Sequence, residues 1–261
     1  MSEVTLALIQ YDPHGALFNQ TVRVFPRLRQ VFGDIAVFAN AATAPRSIDY
    51  LQQNGVRVVA EATQVGLNHL GRFRRAAVEL ALHGPCSFIF YCDFDRVLHW
   101  AEFHPQELQG VAQQIRSHDF TVLGRTARAF ATHPRIQRDT EAIINHVFER
   151  VSGRAWDTGA GARGLSRRAA EAIVAGCRDD QISNDVTWPL CLQQRGGFTL
   201  GCIETEGLEF ETPDRYPDEV ARAGNVQAWR EQLDDDPQHW AHRLELARIE
   251  VEAMIPFFST K

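Results

Sequence analysis

Ser87-Phe88-Ile89-Phe90-Tyr91-Cys92-Asp93-Phe94-Asp95-Arg96-Val97-Leu98 is the stretch on which the reading of this chain turns. Apolar and aromatic residues run to Cys92 and stop at two carboxylates spaced i, i+2. An apolar run of this length launched by Gly84-Pro85 predicts a buried strand over 86–92. Side chains two apart on a strand point to one side, so Asp93 and Asp95, at or just past the strand end, converge on one cation. Two uncompensated carboxylates at the end of a buried strand are costly unless paired or metal-bound. Carboxylate oxygens suit a hard divalent ion, Mg²⁺ or Mn²⁺, shared with ligand phosphates. The plainer alternative is an acidic loop at a strand end.

Working outward, strand-like runs at 4–10, 35–39, 56–60, 86–92 and 119–124 alternate with helical patterns over the first ~120 residues. Phe18, Val22, Phe25, Leu28 and Phe32 form a helical stripe in which Pro26 predicts a kink or a late start. A second helix is expected over 68–82, with Phe73, Ala77 and Leu80 inward and Arg72, Arg74 and Arg75 around its first turns. The pattern predicts an α/β fold with a mainly parallel mixed sheet flanked by helices, Rossmann-like in its N-terminal half. Beyond 124 a helix is expected at 138–151, and Trp156 to Gly164, with three glycines, reads as a loop. Ser166 is positioned to cap a helix from Arg167 to about Ala175. Another helix, 185–194, closes at Gly196-Gly197 before a strand at 198–204. Trp240, Leu244, Ala247, Val251 and Met254 mark a C-terminal helix that either packs on the body or joins a homodimer.

With 261 residues and 44% apolar content the chain can bury a large core. Its net charge of -6 and pI near 5.9 argue against a nucleic-acid partner held by bulk charge. No apolar run reaches the length of a membrane span, and Met1-Ser2-Glu3 leads into the first strand without a basic leader. Five scattered cysteines lack C-x-x-C spacing, so a cytoplasmic protein with reduced thiols is expected. Serine-hydrolase, P-loop and zinc-histidine strings are absent.

Two chemistries use the letters Asp93-Phe94-Asp95-Arg96-Val97-Leu98. The string is similar to the D-x-D-x-V/T-L of haloacid dehalogenase-like phosphatases, which would make Asp93 a nucleophile and Asp95 a general acid. That motif normally sits on the first strand, whereas three β-α units precede it here. The family also needs a core lysine, and Lys261 is the only lysine of the chain. A sugar nucleotidylyltransferase would likewise need a catalytic lysine and a Gly-rich loop after the first strand, which Tyr11 to Leu17 does not offer.

The chain more closely resembles the GT-A-fold nucleotide-sugar glycosyltransferases, in particular their inverting, synthase-like group. Those proteins open with β-α-β units and place D-x-D about a hundred residues in. Gly66-Leu67-Asn68-His69-Leu70-Gly71-Arg72-Phe73 lies where that group has a G-x-x-x-x-(small)-R-N segment, with Phe73 in place of Asn. Gly159 to Gly164 follows as a glycine-containing acceptor loop, and Asn184-Asp185, closed by Arg195-Gly196-Gly197, stands where an E-D pair opens a helix. The likeness spans about residues 4–205.

The resemblance implies transfer of a sugar from a UDP- or GDP-sugar donor to an acceptor hydroxyl, with a metal neutralising the diphosphate and a base taking the acceptor's proton. Asp95 would ligate the metal, Asp93 would reach the metal or the ribose, and Asp185 would be the base. Asp157 and Asp180 compete for that role, and Asn184-Asp185 also suits a helix N-cap. Arg72 is the candidate for the donor's phosphates, and Arg125 and Arg128 are further candidates to face ligand. Gln10, Tyr11 and Asp12 after the first strand, and Asn40 and Glu61 after the next two, are candidates because open α/β sheets bind ligands at the carboxyl ends of their strands. The usual third metal ligand, a C-terminal histidine, has no evident counterpart, which leaves Glu209, Glu211 and His99 to consider. By the same resemblance, 1–124 would bind the donor, 125–226 would form the acceptor side, and 227–261 would be a helical extension. A GT-A-like binding module without turnover is the alternative, suggested by Phe73, Asn184 and the missing histidine.

Overall fold

The apolar runs of the first hundred residues do form parallel strands, and the order in which they pair fixes where the carboxylates emerge. The structure, a computed structural model, describes residues 3–258. Its first half comprises β1 (Val4–Gln10), α1 (Phe18–Val31), β2 (Asp34–Asn40), α2 (Pro45–Gln53), β3 (Arg57–Glu61), α3 (Leu70–Leu82) and β4 (Phe88–Asp93). There follow α4 (Phe94–Phe103), α5 (Pro105–Gln114), β5 (Phe120–Arg125), α6 (Ala127–Ala131), α7 (Arg135–Ser152), β6 (Ala162–Ser166), α8 (Arg167–Gly176), α9 (Asn184–Arg195) and β7 (Leu200–Thr205). The chain then runs through α10 (Pro217–Ala223), α11 (Val226–Asp235) and α12 (Pro237–Met254). One seven-stranded sheet has the order β3-β2-β1-β4-β6-β5-β7, with β6 antiparallel to both neighbours and the remaining pairs parallel.

β1 and β4 lie side by side with Ile9 opposite Asp93, so the ends of these two central strands open at one edge. α1, α2, α4 and α5 cover one face of the sheet through residues such as Phe25, Leu51, Trp100 and Val111. Phe73, Ala77, Ala169 and Ile173 of α3 and α8 cover the other. Trp100 is fully buried, meets Phe90 edge-on at 5.7 Å and donates its indole N–H to Glu107 at 2.8 Å. A buried aromatic of this size stabilises by about 2–3 kcal/mol, provided its polar atom is satisfied.

The structure departs from the sequence pattern at β6 and in α1, fills one stretch the pattern left open, and packs the C-terminal stripe on the body. Residues 162–166, expected within and after a loop, form β6 at the centre of the sheet. The ladders to β4 and β5 override the poor strand propensity of Ala162-Arg163-Gly164, and Gly164 is required there because a Cβ would stand 2.5 Å from the Ile115 Cβ. Phe94 to Phe103, to which the sequence pattern assigns no element, is helix α4, with Phe94, Val97, Leu98 and Ala101 buried on its inner face. α1 continues unbroken through Pro26, which is exposed, so the backbone carbonyl it leaves unpaired falls on the exposed face at Val22. The C-terminal stripe packs on its own chain: Ala247 and Met254 of α12 join Ile144 and Phe148 of α7 and Val186 and Leu190 of α9, while Leu244 is exposed. Among the described residues no helix is long and apolar enough to cross a membrane.

Candidate active site

Asp93 is the last residue of β4 and the N-cap position of α4, in extended backbone. Asp95 lies one residue into the helix, where a carboxylate also complements the positive end of the helix dipole. The pair therefore straddles a strand-to-helix turn rather than sharing one side of a strand. Phe94 between them is buried against the core, which leaves both carboxylates at the strand-end edge.

That edge is a cleft of about 320 Å³. Gln10, Tyr11, Asp93 and Asp95 line it together with Phe94, Leu17, Phe73, the Val65-to-Leu70 segment, Arg215 and His242. Four of the residues expected from the sequence thus meet in one place. Gln10 is buried, and both polar atoms of its side-chain amide lack a partner among the described residues, an arrangement that costs free energy unless a ligand or water pairs with it. His242 shows that α12 forms a wall of this cleft.

Other expected residues lie elsewhere. Asn40 is occupied within the structure, donating to the Thr63 carbonyl at 2.8 Å and accepting from the Ala42 N–H at 2.9 Å. Asp12 accepts from the Ala16 and Leu17 N–H groups and shapes the turn before α1. Arg72 and Glu61 line a separate groove on the outer side of α3. The arginine of α3 that reaches the carboxylates is Arg74, with a side chain only 3% exposed. It donates to Asp93 Oδ2 at 3.0 Å, to Asp185 Oδ2 at 2.7 Å and to Asn184 Oδ1 at 3.2 Å. Sequence reasoning missed it, yet a signal existed. Arg74 lies inside the buried stripe Gly71, Phe73, Ala77, Val78 and Ala81, whereas Arg72 lies off it.

Asp185 is buried behind Arg74, and its other oxygen accepts from Arg163 at 2.9 Å. Arg163 also donates to the Asp185 backbone carbonyl at 3.0 Å. That carbonyl is free because Pro189, four residues on in α9, has no N–H to offer it. Burial by itself raises the Asp93 carboxyl; Arg74 and Arg96 beside it, and the Tyr91 hydroxyl donating at 2.6 Å, outweigh that and hold it below its ordinary value. The glycine loop is fitted to this pair. Gly161 has φ of +62°, and a Cβ there would lie 2.8 Å from Asp93 Oδ2 and 3.0 Å from the Arg74 guanidinium.

The competing carboxylates and remaining arginines are bound into the framework. Asp157 is held by Arg125, both by its backbone N–H and by its guanidinium, while Asp180 pairs with Arg75 at the surface. Arg128 pairs with Glu206 and Glu209. Glu209 also meets His104 and His99, and Glu211 is buried 3.6 Å from Arg96. Among the described residues no group of three His, Cys, Asp or Glu side chains converges to hold a metal ion.

The sheet order, the helix-covered parallel half and the carboxylate pair at the end of its central strand define a GT-A fold, the fold of nucleotide-sugar glycosyltransferases. No protein-family model matches the chain, and a comparison with curated proteins finds no match. Among solved structures it is similar to glucosyl-3-phosphoglycerate synthase from Mycobacterium tuberculosis in complex with Mn²⁺, uridine diphosphate and phosphoglyceric acid. The TM-score is 0.52 at 11% identity, over 94% of this chain and 78% of that one. The same synthase bound to Mn²⁺, uridine diphosphate and glucosyl-3-phosphoglycerate matches with a TM-score of 0.50 at 12% identity, over 77% of this chain and 70% of that one. A mycobacterial protein matches with a TM-score of 0.51 at 10% identity, over 85% and 75%. At such identities the likeness establishes the fold. The fold also removes the dehalogenase-like alternative, in which the D-x-D strand would come first in the chain.

Proposed function

We propose that the protein is a metal-dependent glycosyltransferase that moves a sugar from a nucleoside-diphosphate donor, UDP- or GDP-linked, to an acceptor hydroxyl. The observation that carries this reading is the convergence of Asp93 and Asp95 on a cleft at the ends of β1 and β4 that also holds the unpartnered amide of Gln10. The relatives in fold that carry Mn²⁺ with uridine diphosphate support it.

The residues present fit a divalent ion in donor chemistry. Asp93 and Asp95 supply oxygen donors on one cleft wall, and Asp95 Oδ2 is met by Arg215, a side chain 26% exposed. When bound, such an ion neutralises the negative charge that develops on a diphosphate leaving group. The chain's own residues do the rest. Tyr91 and Arg74 fix the orientation of Asp93, and Asp185 with Arg163 fixes Arg74. Gln10 offers a donor and an acceptor to a polar ligand edge, and the apolar wall of Phe73, Leu70 and Phe94 excludes water from it.

In this reading Asp185 is the counter-ion that holds Arg74 on Asp93, a role supported by its burial behind Arg74 and by its absence from the cleft lining. Inversion at the anomeric carbon, which the resemblance implies, remains the stereochemical half of the proposal. The anomeric configuration of the product, read from its proton coupling, tests it.

Hydrolysis and transfer of several nucleotide sugars with Mn²⁺ by wild type and Asp95→Ala test the reaction as a whole. Turnover that needs both the metal and Asp95 is expected. Nucleotide binding without turnover under any donor and acceptor tried would favour a binding module, and neither binding nor turnover would reject the reading.

A further inference from the structure

Three arginines approach the D-x-D carboxylates, and they are not equivalent. Arg74 and Arg96 come from helices packed on the sheet, with side chains 3% and 13% exposed. Arg215 instead arrives from the segment after β7, at the end of a single 3-10 turn, Thr212–Arg215. It donates to Asp95 Oδ2 at 3.1 Å and to the Tyr11 backbone carbonyl, so it bridges the ends of β4 and β1 across the cleft. Its root is anchored one residue earlier, where Asp214 accepts from Gln20 at 2.7 Å and lies 2.8 Å from His99 Nδ1. The backbone is therefore held while the guanidinium, on a long flexible stem, faces the cleft.

We propose that Arg215 is a positioning residue that competes with the divalent cation for Asp95 in the donor-free protein and transfers to the donor's diphosphate when the cation takes Asp95. This rests on the glycosyltransferase reading. A guanidinium and a divalent cation on the same carboxylate oxygen repel each other, so arrival of the cation favours departure of the guanidinium. The planar fork that Arg215 now presents to a carboxylate and a carbonyl matches paired phosphate oxygens equally well. Its departure also frees the Tyr11 carbonyl and opens the end of β1, the edge where Gln10 awaits a partner. Cation and nucleotide thus bind with positive coupling, each relieving a cost that the other meets alone.

The test is Mn²⁺ binding alone, by electron paramagnetic resonance, and UDP or GDP binding with and without Mn²⁺, by calorimetry, on wild type, Arg215→Gln, Arg215→Lys and Asp95→Asn. Arg215→Gln is expected to bind Mn²⁺ alone roughly twofold to fivefold more tightly, the size of a part-exposed ion pair released. It should bind the nucleoside diphosphate with Mn²⁺ about tenfold more weakly, as loss of a charge-assisted contact requires, and Arg215→Lys should recover part of that. Asp95→Asn should lose the Mn²⁺ response in both assays. Arg215→Gln with Mn²⁺ affinity equal to or weaker than wild type overturns the competition, and unchanged nucleotide affinity overturns the transfer. A wild type that takes Mn²⁺ but neither nucleotide rejects the glycosyltransferase reading and the transfer with it, while the competition for Asp95 is still decided by Mn²⁺ alone.

Discussion

Arg125 and Arg215 each meet an aspartate, and they do opposite things. Arg125 is fully buried, donates to Asp157 at 2.7 and 2.8 Å and to Glu141 at 2.5 Å, and Arg243 completes the cluster by reaching Glu141 at 2.6 Å. Arg215 and Asp95 make one contact at 3.1 Å, with side chains 26% and 17% exposed, at the mouth of a cleft. The first arrangement ties β5, α7 and the 157 loop together and leaves no oxygen of Asp157 for a ligand. The second holds a carboxylate that a ligand can claim. Residue type does not separate framework from site here, whereas burial and the number of partners do.

Breaking the framework member should have the largest effect on stability. Arg125→Met leaves Asp157 without its cation and Glu141 with Arg243 alone, and is expected to cost about 3–5 kcal/mol in urea unfolding. A loss below 1 kcal/mol would place Arg125 with Arg215 as an exchangeable partner. Gly161→Ala comes next, at about 1–3 kcal/mol, because its φ of +62° strains an alanine and the added Cβ meets Asp93 Oδ2. The same variant should weaken Mn²⁺-dependent nucleotide binding, since Asp93 must move, and unaltered binding would separate the loop from the site.

Asp95→Asn sharpens the comparison from the other side. Its stability should change by less than about 1 kcal/mol, as for other part-exposed pairs, while turnover falls at least about a hundredfold. The smallest effect is with pH. Asp157 is held down to about 2, because Arg125 outweighs the burial that would raise it. Its contribution is present above the ordinary carboxylate value near 3.8 and lost as pH falls toward 2. His99 runs the other way. Burial lowers it, but the hydrogen bond and charge of Asp214 raise it above 6.5, so its contribution is present below 6.5 and fades as pH rises through the folded value. His99→Gln should flatten the neutral limb of a stability-pH curve, and Asp157→Asn the acid limb.

Much of this was legible in the sequence, and the rest was hidden for identifiable reasons. The five strands up to 125, the D-x-D at a strand end and Ser166 as the cap of α8, accepting from the Ala169 N–H at 3.2 Å, follow from periodicity and local hydrogen bonding. β6 was not legible, since Ala162-Arg163-Gly164 gains its place from β4 and β5, residues far away in the chain. Arg72 holds the arginine position of the resembled segment, whereas it is the buried face of α3, whose phase one sequence does not fix, that turns Arg74 to the carboxylates. Asp185 was legible as a carboxylate opening a helix, but its two arginines come from α3 and β6 and only the fold brings them there. Arg215, 120 residues from Asp95, had no local signal at all.

The most direct test of the central claim is a crystal structure of the protein with Mn²⁺ and UDP. The account predicts an anomalous manganese peak bound to Asp95, diphosphate density against it and Arg215 turned from Asp95 to the phosphates. Manganese and nucleotide absent from the cleft under saturating conditions, with Arg215 still on Asp95, would contradict it.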